Sequence, residues 1–407
     1  MFPTPNFDPI SGLALGLFLI QLPAFVILLK RLAKGKNRRL PLKPQLPTPD
    51  MAGTVSIVVP TLNEAKRIGP CLTALTQQTE EVGEIIIIDS NSRDNTAELV
   101  KAASRQDSRL RLMFYDPLSQ GWIGPTGALQ EAFFHTSPDS KWILRLDADT
   151  RPCSGLVASL LKAAENYDLV SLSTQFILKY PGELWLHPAL LMTLVYRFEP
   201  HGVPASSPSR VMANGQCFLC RRSVLDKLGG FISARNSFCD DVTLARYAAQ
   251  RGFKVGFLDG SKLLQVRMYE GIVETWQGWG RTIDLKDAST WSQMWLDVLF
   301  LIAIQGLPLL VTISCLWLYL YLPQFSLSLG LLWGLNLLLL LIRIAALWAI
   351  DPSIERSKAK FPWLFWLSPF ADPFACLRVF ISAMGRPKQW RGRKYNFAFN
   401  GKLKNSC

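Results

Sequence analysis

LRLDADTRP, Leu144 to Pro152, sets two carboxylates one residue apart directly after an apolar run. With the preceding Trp142 and Ile143 the run has the length and β-propensity of a buried strand, so the acids stand where that strand ends. On extended backbone, residues i and i+2 project to the same side. Asp147 and Asp149 can therefore face one ligand together. Two hard oxygen donors suit Mg²⁺ or Mn²⁺, which keeps several waters and shares the phosphates of a substrate. An isolated D-x-D also suits a solvated turn, and its surroundings have to decide.

Those surroundings repeat the pattern. TVSIVVP (54–60) and EIIIIDS (84–90) are β-branched runs with the character of buried strands, and each leads into polar residues, PTLNE (60–64) and IDSNSRD (88–94). Between them, EAKRIGPCLTALTQQ (64–78) places Ile68, Cys71, Leu72 and Leu75 on one helical face, with Pro70 tolerable only in the first turn. Asp94 or Asn95 caps the next helix, and Asn95 with Glu98 fits a capping box. WILRLD (142–147), DLVSLSTQF (168–176) and NGQCFLCRR (214–222) supply further strands. Such alternation specifies an α/β fold, a mostly parallel sheet covered by helices. Ligands of open α/β sheets bind beyond the carboxyl ends of the strands. Three polar strand ends converge there, which favours a ligand site over a turn.

Hydrophobic residues make up 49% of the 407-residue chain, and they are unevenly spread. Gly12–Leu29, Trp295–Leu322 (with Asp297 and Pro308) and Leu327–Ile350 (with Arg343) each reach the roughly 20 apolar residues that span a bilayer. The first lacks the basic start and small-residue cleavage site of a signal peptide. The net charge of +13 would suit nucleic acid, but its placement favours a membrane over that partner. Lys30, Arg31, Lys34, Lys36, Arg38, Arg39 and Lys43 follow the first apolar segment; Arg386, Lys388, Arg391, Arg393, Lys394, Lys402 and Lys404 crowd the tail. Basic residues beside spans mark the cytoplasmic side and attract anionic headgroups. We therefore expect an integral membrane protein, in contact with membrane lipids, whose catalytic domain faces the cytoplasm. The expected organisation is an anchor at 1–30, a basic proline-rich linker at 31–53, a catalytic domain at 54–290, two membrane helices at 291–350, and an interfacial or re-entrant segment with a basic tail at 351–407. In that last part, Pro362–Met384 is apolar but interrupted by Asp372, Arg378 and three prolines, which predicts a broken helix or hairpin at the cytoplasmic face. Glu183–Phe198 suits either a buried core helix or one lying on the membrane surface. Residues 203–210 predict a mobile loop. Cys217 and Cys220 form a lone C-x-x-C without a second pair, and are expected as buried reduced thiols.

VVPTLNE (58–64), IIIIDSNSRDNT (85–96), LDADT (146–150), NGQCFLCRRSVLDKLGGF (214–231) and FCDDVTLARYAAQRGFKV (238–255) together resemble the inverting family 2 glycosyltransferases, over roughly residues 54–260. The resemblance implies the GT-A fold, a Rossmann-like mixed sheet, and a nucleotide-sugar donor. It implies that Glu64 and Asp89, with Thr61, hold the base and ribose, that Asp147 contacts the nucleotide, and that Asp149 holds Mg²⁺ or Mn²⁺. It places the catalytic base on the second acid of CDDV, Asp241. A hydroxyl is a poor nucleophile, and a carboxylate must take its proton as it attacks the anomeric carbon. As a structural alternative, Asp240–Asp241 would suit a helix N-cap, where acids are favoured.

Two departures stand out. Gly124-Pro125 occupies the place of a Gly-Lys in related members, removing a cation that Arg145 or Lys141 would have to replace. In ETWQGWGR (274–281), Trp276, Trp279 and Arg281 resemble the variant of membrane-bound transferases acting on small lipids. Arg281 would bind the leaving diphosphate. The tryptophans would line an acceptor groove or anchor a helix at the headgroup level. The arrangement of spans and the tail WRGRKYNF (390–397) look most like transferases that glycosylate carotenoids and hopanoid-like lipids. The expected activity is transfer of a sugar, with inversion, to a hydroxyl of a lipid acceptor, a carotenoid first and a hopanoid, ceramide-like or polyprenyl lipid as alternatives. A non-catalytic nucleotide-sugar-binding membrane protein is the reading from another class; intact Asp147, Asp149 and Asp241 argue against it.

Overall fold

The β-branched run from Val55 is central because it is buried on both faces. The computed structural model describes residues 9–116, 122–283, 285–321, 326–385, 389–390 and 393–394. Its strands, in chain order, are β1 (Val55–Thr61), β2 (Val82–Asp89), β3 (Leu110–Phe114), β4 (Trp142–Leu146), β5 (Thr150–Pro152), β6 (Leu169–Ser173), β7 (Gln175–Ile177), β8 (Cys217–Arg221), β9 (Val255–Asp259), β10 (Leu264–Val266) and β11 (Ile354–Glu355). The large sheet runs β3-β2-β1-β4-β8-β6-β9. It is parallel except for β8, which is antiparallel to both of its neighbours. A second sheet runs β11-β7-β10-β5.

Helices cover both faces of the large sheet. α2 (Ile68–Thr76) and α5 (Leu156–Ala163) pack Ile68, Leu72, Leu75, Leu156 and Leu160 on one side. α4 (Thr126–Phe134), α7 (Arg222–Leu228) and α8 (Asp240–Gln250) close the other with Leu129, Leu225, Leu244 and Ala248. α3 (Thr96–Ser104) lies against β3 and α2. Leu144, fully buried in β4, illustrates the stakes: truncating such a residue to alanine costs about 2–5 kcal/mol. Pro70 falls in the first turn of α2, where its missing N–H is harmless. Asn95 occupies the N-cap of α3 but makes no capping bond with its side chain. Asp94 does that work, accepting from Thr96 N (3.1 Å) and Thr96 Oγ1 (2.5 Å). DLVSLSTQF splits into β6 and β7, because the chain leaves the large sheet at Thr174 to join the small one.

The proline-rich linker is a strap. It lacks a backbone ladder of its own and places its donors on the domain: Leu42 N on Asp259 O (2.9 Å), Gln45 N on Ser159 Oγ (3.1 Å) and Thr48 N on Glu81 Oε1 (2.7 Å). The 203–210 segment is irregular and ends in a 3₁₀ turn, Pro208–Arg210, with Ser206 Oγ donating to Glu199 (2.7 Å). Cys217 and Cys220 are buried free thiols in β8.

The remaining helices are α1 (Pro9–Ala33), α6 (Pro181–Arg197), α9 (Gly271–Thr282), α10 (Trp291–Leu301), α11 (Leu307–Tyr321), α12 (Leu327–Ile350) and α13 (Asp372–Met384). A π-turn, Ile302–Gly306, joins α10 to α11, and a 3₁₀ stretch, Pro362–Ala371, leads into α13. By length and composition four stretches could span a membrane: Pro9–Asn37, Trp291–Tyr321, Leu327–Ser353 and Pro362–Met384. α6 resolves its two sequence readings as a wedge: it packs on α9, α13 and the 3₁₀ stretch, between the sheet domain and the apolar helices. Leu322 and the basic side chains from Arg386 to Lys404 lie outside the described residues, as does the tail motif WRGRKYNF apart from the backbone of Trp390, Arg393 and Lys394, which fall in a short antiparallel pair, Gln389–Trp390 with Arg393–Lys394.

Candidate active site at the strand ends

β4 ends in the large sheet at Leu146, and β5 begins in the small sheet at Thr150. The turn between them carries Asp147 and Asp149. Thr150 fixes it by donating to Asp147 O from its N (3.1 Å) and its Oγ1 (2.7 Å), and Arg267 N donates to Asp149 O (3.1 Å). A cavity of about 230 Å³ opens here. Its lining includes charged residues, Glu64, Asp147, Asp149, Asp240, Asp241, Arg145 and Arg281, and apolar ones, Phe176, Leu191, Leu194, Met268 and Trp279.

Arg145 organises the acids. It is 5% exposed in β4, pairs with the buried Asp240, and stands 3.4 Å from Asp147 Oδ1. Gly215 leaves room for it: a Cβ there would lie 2.7 Å from the guanidinium. The same glycine donates its N–H to Asp241 Oδ2 (2.5 Å), and Val242 N donates to Asp241 Oδ1 (2.8 Å). Cys239 takes the N-cap of α8, so Asp240 and Asp241 are first-turn residues rather than caps. Burial raises the Asp240 carboxyl to about 6, with Arg145 opposing and Asp241 and Asp147 reinforcing. Burial also raises Asp241, against the pull of Arg145 and its two N–H donors. A partly buried carboxylate that holds its proton more readily than an ordinary one has the character of a general base.

The other strand ends are shaped by strained loops. Asn63 and Asn91 adopt φ of 55° and 59°, the left-handed region that asparagine tolerates. Glu64 lines the cavity. Thr61 and Asp89, paired in register, do not: the Asp89 carboxylate accepts from Thr61 Oγ1 (2.9 Å), Ser92 N (2.8 Å) and Ser92 Oγ (2.5 Å), and so braces the loop.

Trp279 is 1% exposed, lines the cavity, and donates its Nε1–H to His187 Nδ1 at 3.1 Å. That bond needs neutral imidazole, and burial lowers the His187 pKa to about 3. Glu183 joins the starts of α6 and α9, accepting from Tyr180 N (2.9 Å), Gly271 N (3.0 Å) and Arg267 Nη1 (2.6 Å). Arg281 is half-buried in the cavity lining, whereas Trp276 is outside it, under the Arg378 guanidinium at 5.5 Å. Lys141 is exposed, just before the opposite end of β4, so it does not stand in for a cation at Pro125; Arg145 and Arg281 are the cations of the lining. Sequence reasoning missed Gly215, His187, Glu183 and the Arg145–Asp240 pair. Only Gly215 carried a signal, the Asn-Gly ahead of β8.

The donor chemistry fits a divalent cation. Five carboxylates face two guanidiniums in the lining, and Arg145 is already committed to acids. Among the described residues no three His, Cys, Asp or Glu side chains cluster closely enough to hold a metal alone. Asp147 and Asp149 would therefore share it with substrate oxygens and water, the coordination Mg²⁺ and Mn²⁺ accept.

The model of glycosyl transferase family 2 matches residues 56–229. A 4,4′-diaponeurosporenoate glycosyltransferase of Staphylococcus haemolyticus is 25% identical over 240 residues, 58% of this chain and 63% of its own. An undecaprenyl-phosphate 4-deoxy-4-formamido-L-arabinose transferase of Salmonella paratyphi B is 34% identical over 121 residues, 28% of this chain and 35% of its own. The chain thus spans less than two thirds of the length of these curated relatives. The mannosyltransferase of Pyrobaculum calidifontis, solved with GDP-mannose and Mn²⁺, superimposes with a TM-score of 0.53 at 18% identity, covering 92% of this chain and 98% of its own. The shared fold is GT-A.

Proposed function

Residues 56–229 are a family 2 glycosyltransferase domain, and on that premise we propose that the chain transfers a sugar from a nucleotide-sugar donor to a hydroxyl of a membrane lipid, with inversion. The observation that carries this is the mixed lining of one cavity: it brings the D-x-D and Asp241 together with apolar side chains of α6, α9 and β7. The donor's diphosphate lies at Asp147 and Asp149, with Arg281 on the leaving phosphate. Bound Mg²⁺ or Mn²⁺ supplies charge neutralisation for that leaving group. Glu64, on the same strand-end edge, meets the nucleoside, while Thr61 and Asp89 act one layer out, by holding the loop. Asp241 takes the proton of the acceptor hydroxyl as it attacks the anomeric carbon from the face opposite the diphosphate. Asp240, neutralised by Arg145, holds the first turn of α8 so that Asp241 points into the cavity. The apolar lining receives the lipid, and Trp279, fixed by His187, is part of it.

A carotenoid is the acceptor we favour, supported by the staphylococcal relative. The Salmonella relative, named for undecaprenyl phosphate, supports a polyprenyl lipid second. The basic run after α1 supports a cytoplasmic catalytic domain. The test uses purified full-length protein in lipid with labelled nucleotide sugars and both acceptor classes. Asp241→Asn should retain donor affinity but lose about 10²-fold or more in turnover, the scale of a lost general base. Unchanged turnover at saturation with collapsed donor binding would make Asp241 a donor-binding residue.

A further inference from the structure

Behind the cavity, where α6, α8, α1 and α10 meet, basic side chains collect out of proportion to their partners. The guanidiniums of Arg197, Arg210 and Arg246 surround the ring of Phe198 at 5.5, 5.3 and 5.7 Å. Arg197 and Arg246 are only 4% and 3% exposed. Some donors are used: Arg197 Nε on Thr193 O (3.0 Å), Arg246 Nε on Val211 O (3.0 Å) and Arg246 Nη1 on Ser289 Oγ (2.9 Å). In all three side chains Nη2 is buried without a hydrogen-bond partner among the described residues. Arg31, in the last turn of α1, joins them through Tyr196 O (2.8 Å), and Lys34 follows with an ion pair to Glu199 (3.1 Å). The facing acids are Glu199 and Asp297, the latter 3.6 Å from Arg210. Five cations less two acids leaves a surplus of three positive charges. Burial, with repulsion from Arg210 and Arg197, lowers Arg246 to about 10.

Water would satisfy the donors, and cavities of about 20 Å³ beside Arg197 and beside Arg210 have room for one molecule each. Water leaves the charge uncompensated, which in a buried site is the larger cost. An anion at the edge of the cluster offsets that charge. The open edge of the cluster is Arg31, Lys34 and Arg210, all partly exposed, at the end of the first candidate span. Headgroups stand at that level, and basic pockets between membrane helices recognise them. We propose that this edge binds the phosphate of an anionic phospholipid, which seats the sheet domain against the bilayer beside the apolar lining. The proposal rests on α1 lying in a membrane and not on the transfer reaction.

The test measures melting temperature and lipid retention of the full chain in three settings: phosphatidylcholine vesicles, the same with phosphatidylglycerol, and phosphatidylcholine with inorganic phosphate. A headgroup that binds only the folded protein raises the melting temperature with its concentration. Phosphatidylglycerol should raise it and be retained through detergent washing in preference to phosphatidylcholine. Arg31→Gln with Arg210→Gln should weaken that binding about tenfold or more. Lys36→Gln with Arg38→Gln removes the same charge from exposed positions of the same basic run and should leave it intact. Equal losses in the two double variants would show diffuse attraction and overturn the site. An equal rise from inorganic phosphate alone would overturn the lipid as its source. Should the cluster variant fail to fold, retention by the parent decides: no preference for phosphatidylglycerol refutes the proposal.

Discussion

Arg145 links the two groups of acids in the cavity lining. It reaches Asp147 of the D-x-D and Asp240 beside the proposed base, Asp241, and it is the favourable charge that keeps two crowded acids ionisable. Raised carboxyls keep their protons to higher pH. Because the base works only when ionised, activity is present above the pair's pKa and lost as pH falls through it. The acid limb of kcat/KM should thus lie above the ordinary carboxylate value of about 4 and belong to the pair. Arg145→Gln removes the positive charge that holds both acids down, so the limb should move to higher pH, whereas Arg145→Lys should largely restore it. Arg145→Gln should also destabilise the fold by about 3 kcal/mol or more, since a buried acid loses its partner. A pH–rate series on the three proteins checks the sign; a limb that stays put removes Arg145 from the role. Asp149→Asn tests the other half. It should abolish metal-dependent donor binding measured by calorimetry, because an amide offsets no charge.

Among the elements, the junction of α10 and α11 shows how a local sequence fault becomes a tertiary contact. Pro308 has no N–H, and its ring excludes the carbonyl of Ile304 four residues earlier. The chain answers with the π-turn Ile302–Gly306. Carbonyls loosened there are used: Gln21 Nε2 of α1 donates to Ala303 O (2.8 Å) and pairs with Asn336 of α12 at 2.8 and 3.1 Å. Asn336→Leu should cost about 1 kcal/mol, the scale of hydrogen bonds between membrane helices, read as a lower melting temperature in detergent. Such contacts also mark where the sequence stops being legible. Strand runs, the D-x-D and the three long apolar helices could be read because each is written in neighbouring residues. The Gln21–Asn336 pair spans 315 positions, and nothing local announces it. Arg145 looks like an ordinary strand residue until β8 and α8 are placed beside β4. That Asp89 also braces its loop, through Ser92 and Thr61, shows only once those residues are placed around it. Trp276 and Trp279 are indistinguishable by spacing, yet only one lines the cavity.

At the scale of the whole molecule, the fate of Pro362–Met384 decides how the chain sits in a bilayer. By length and composition it could be a fourth span. A span must put its two ends on opposite sides of roughly 30 Å of hydrocarbon. The start of this segment is instead tied to the small sheet, and its far end to α9 and the chain just after it. Immediately before it, β11 pairs with β7, and Lys360 N donates to Lys179 O (3.4 Å). At its far end, Arg378 Nε donates to Trp276 O (2.9 Å), Ser382 Oγ to Gly280 O (2.8 Å), and Lys286 Nζ to the carbonyls of Ser382 and Gly385. In the middle, Asp372 accepts from Arg343 Nε of α12 (2.7 Å) and from Gln305 of the π-turn (2.9 Å), which anchors the bend to the apolar helices. The segment therefore begins beside the small sheet and ends beside α9, which contributes to the cavity lining, with Phe370, Phe374 and Leu377 exposed. That placement suits lipid contact next to the apolar lining. We expect single cysteines introduced at Lys360 and Gly385 to react with an impermeant thiol reagent from one and the same side, the side that also labels an exposed cysteine at Lys141 in the sheet domain. A reporter fused after Cys407 should report that side too. Labelling of the 385 position from the opposite face would establish a fourth span, break the contacts with α9, and overturn this arrangement.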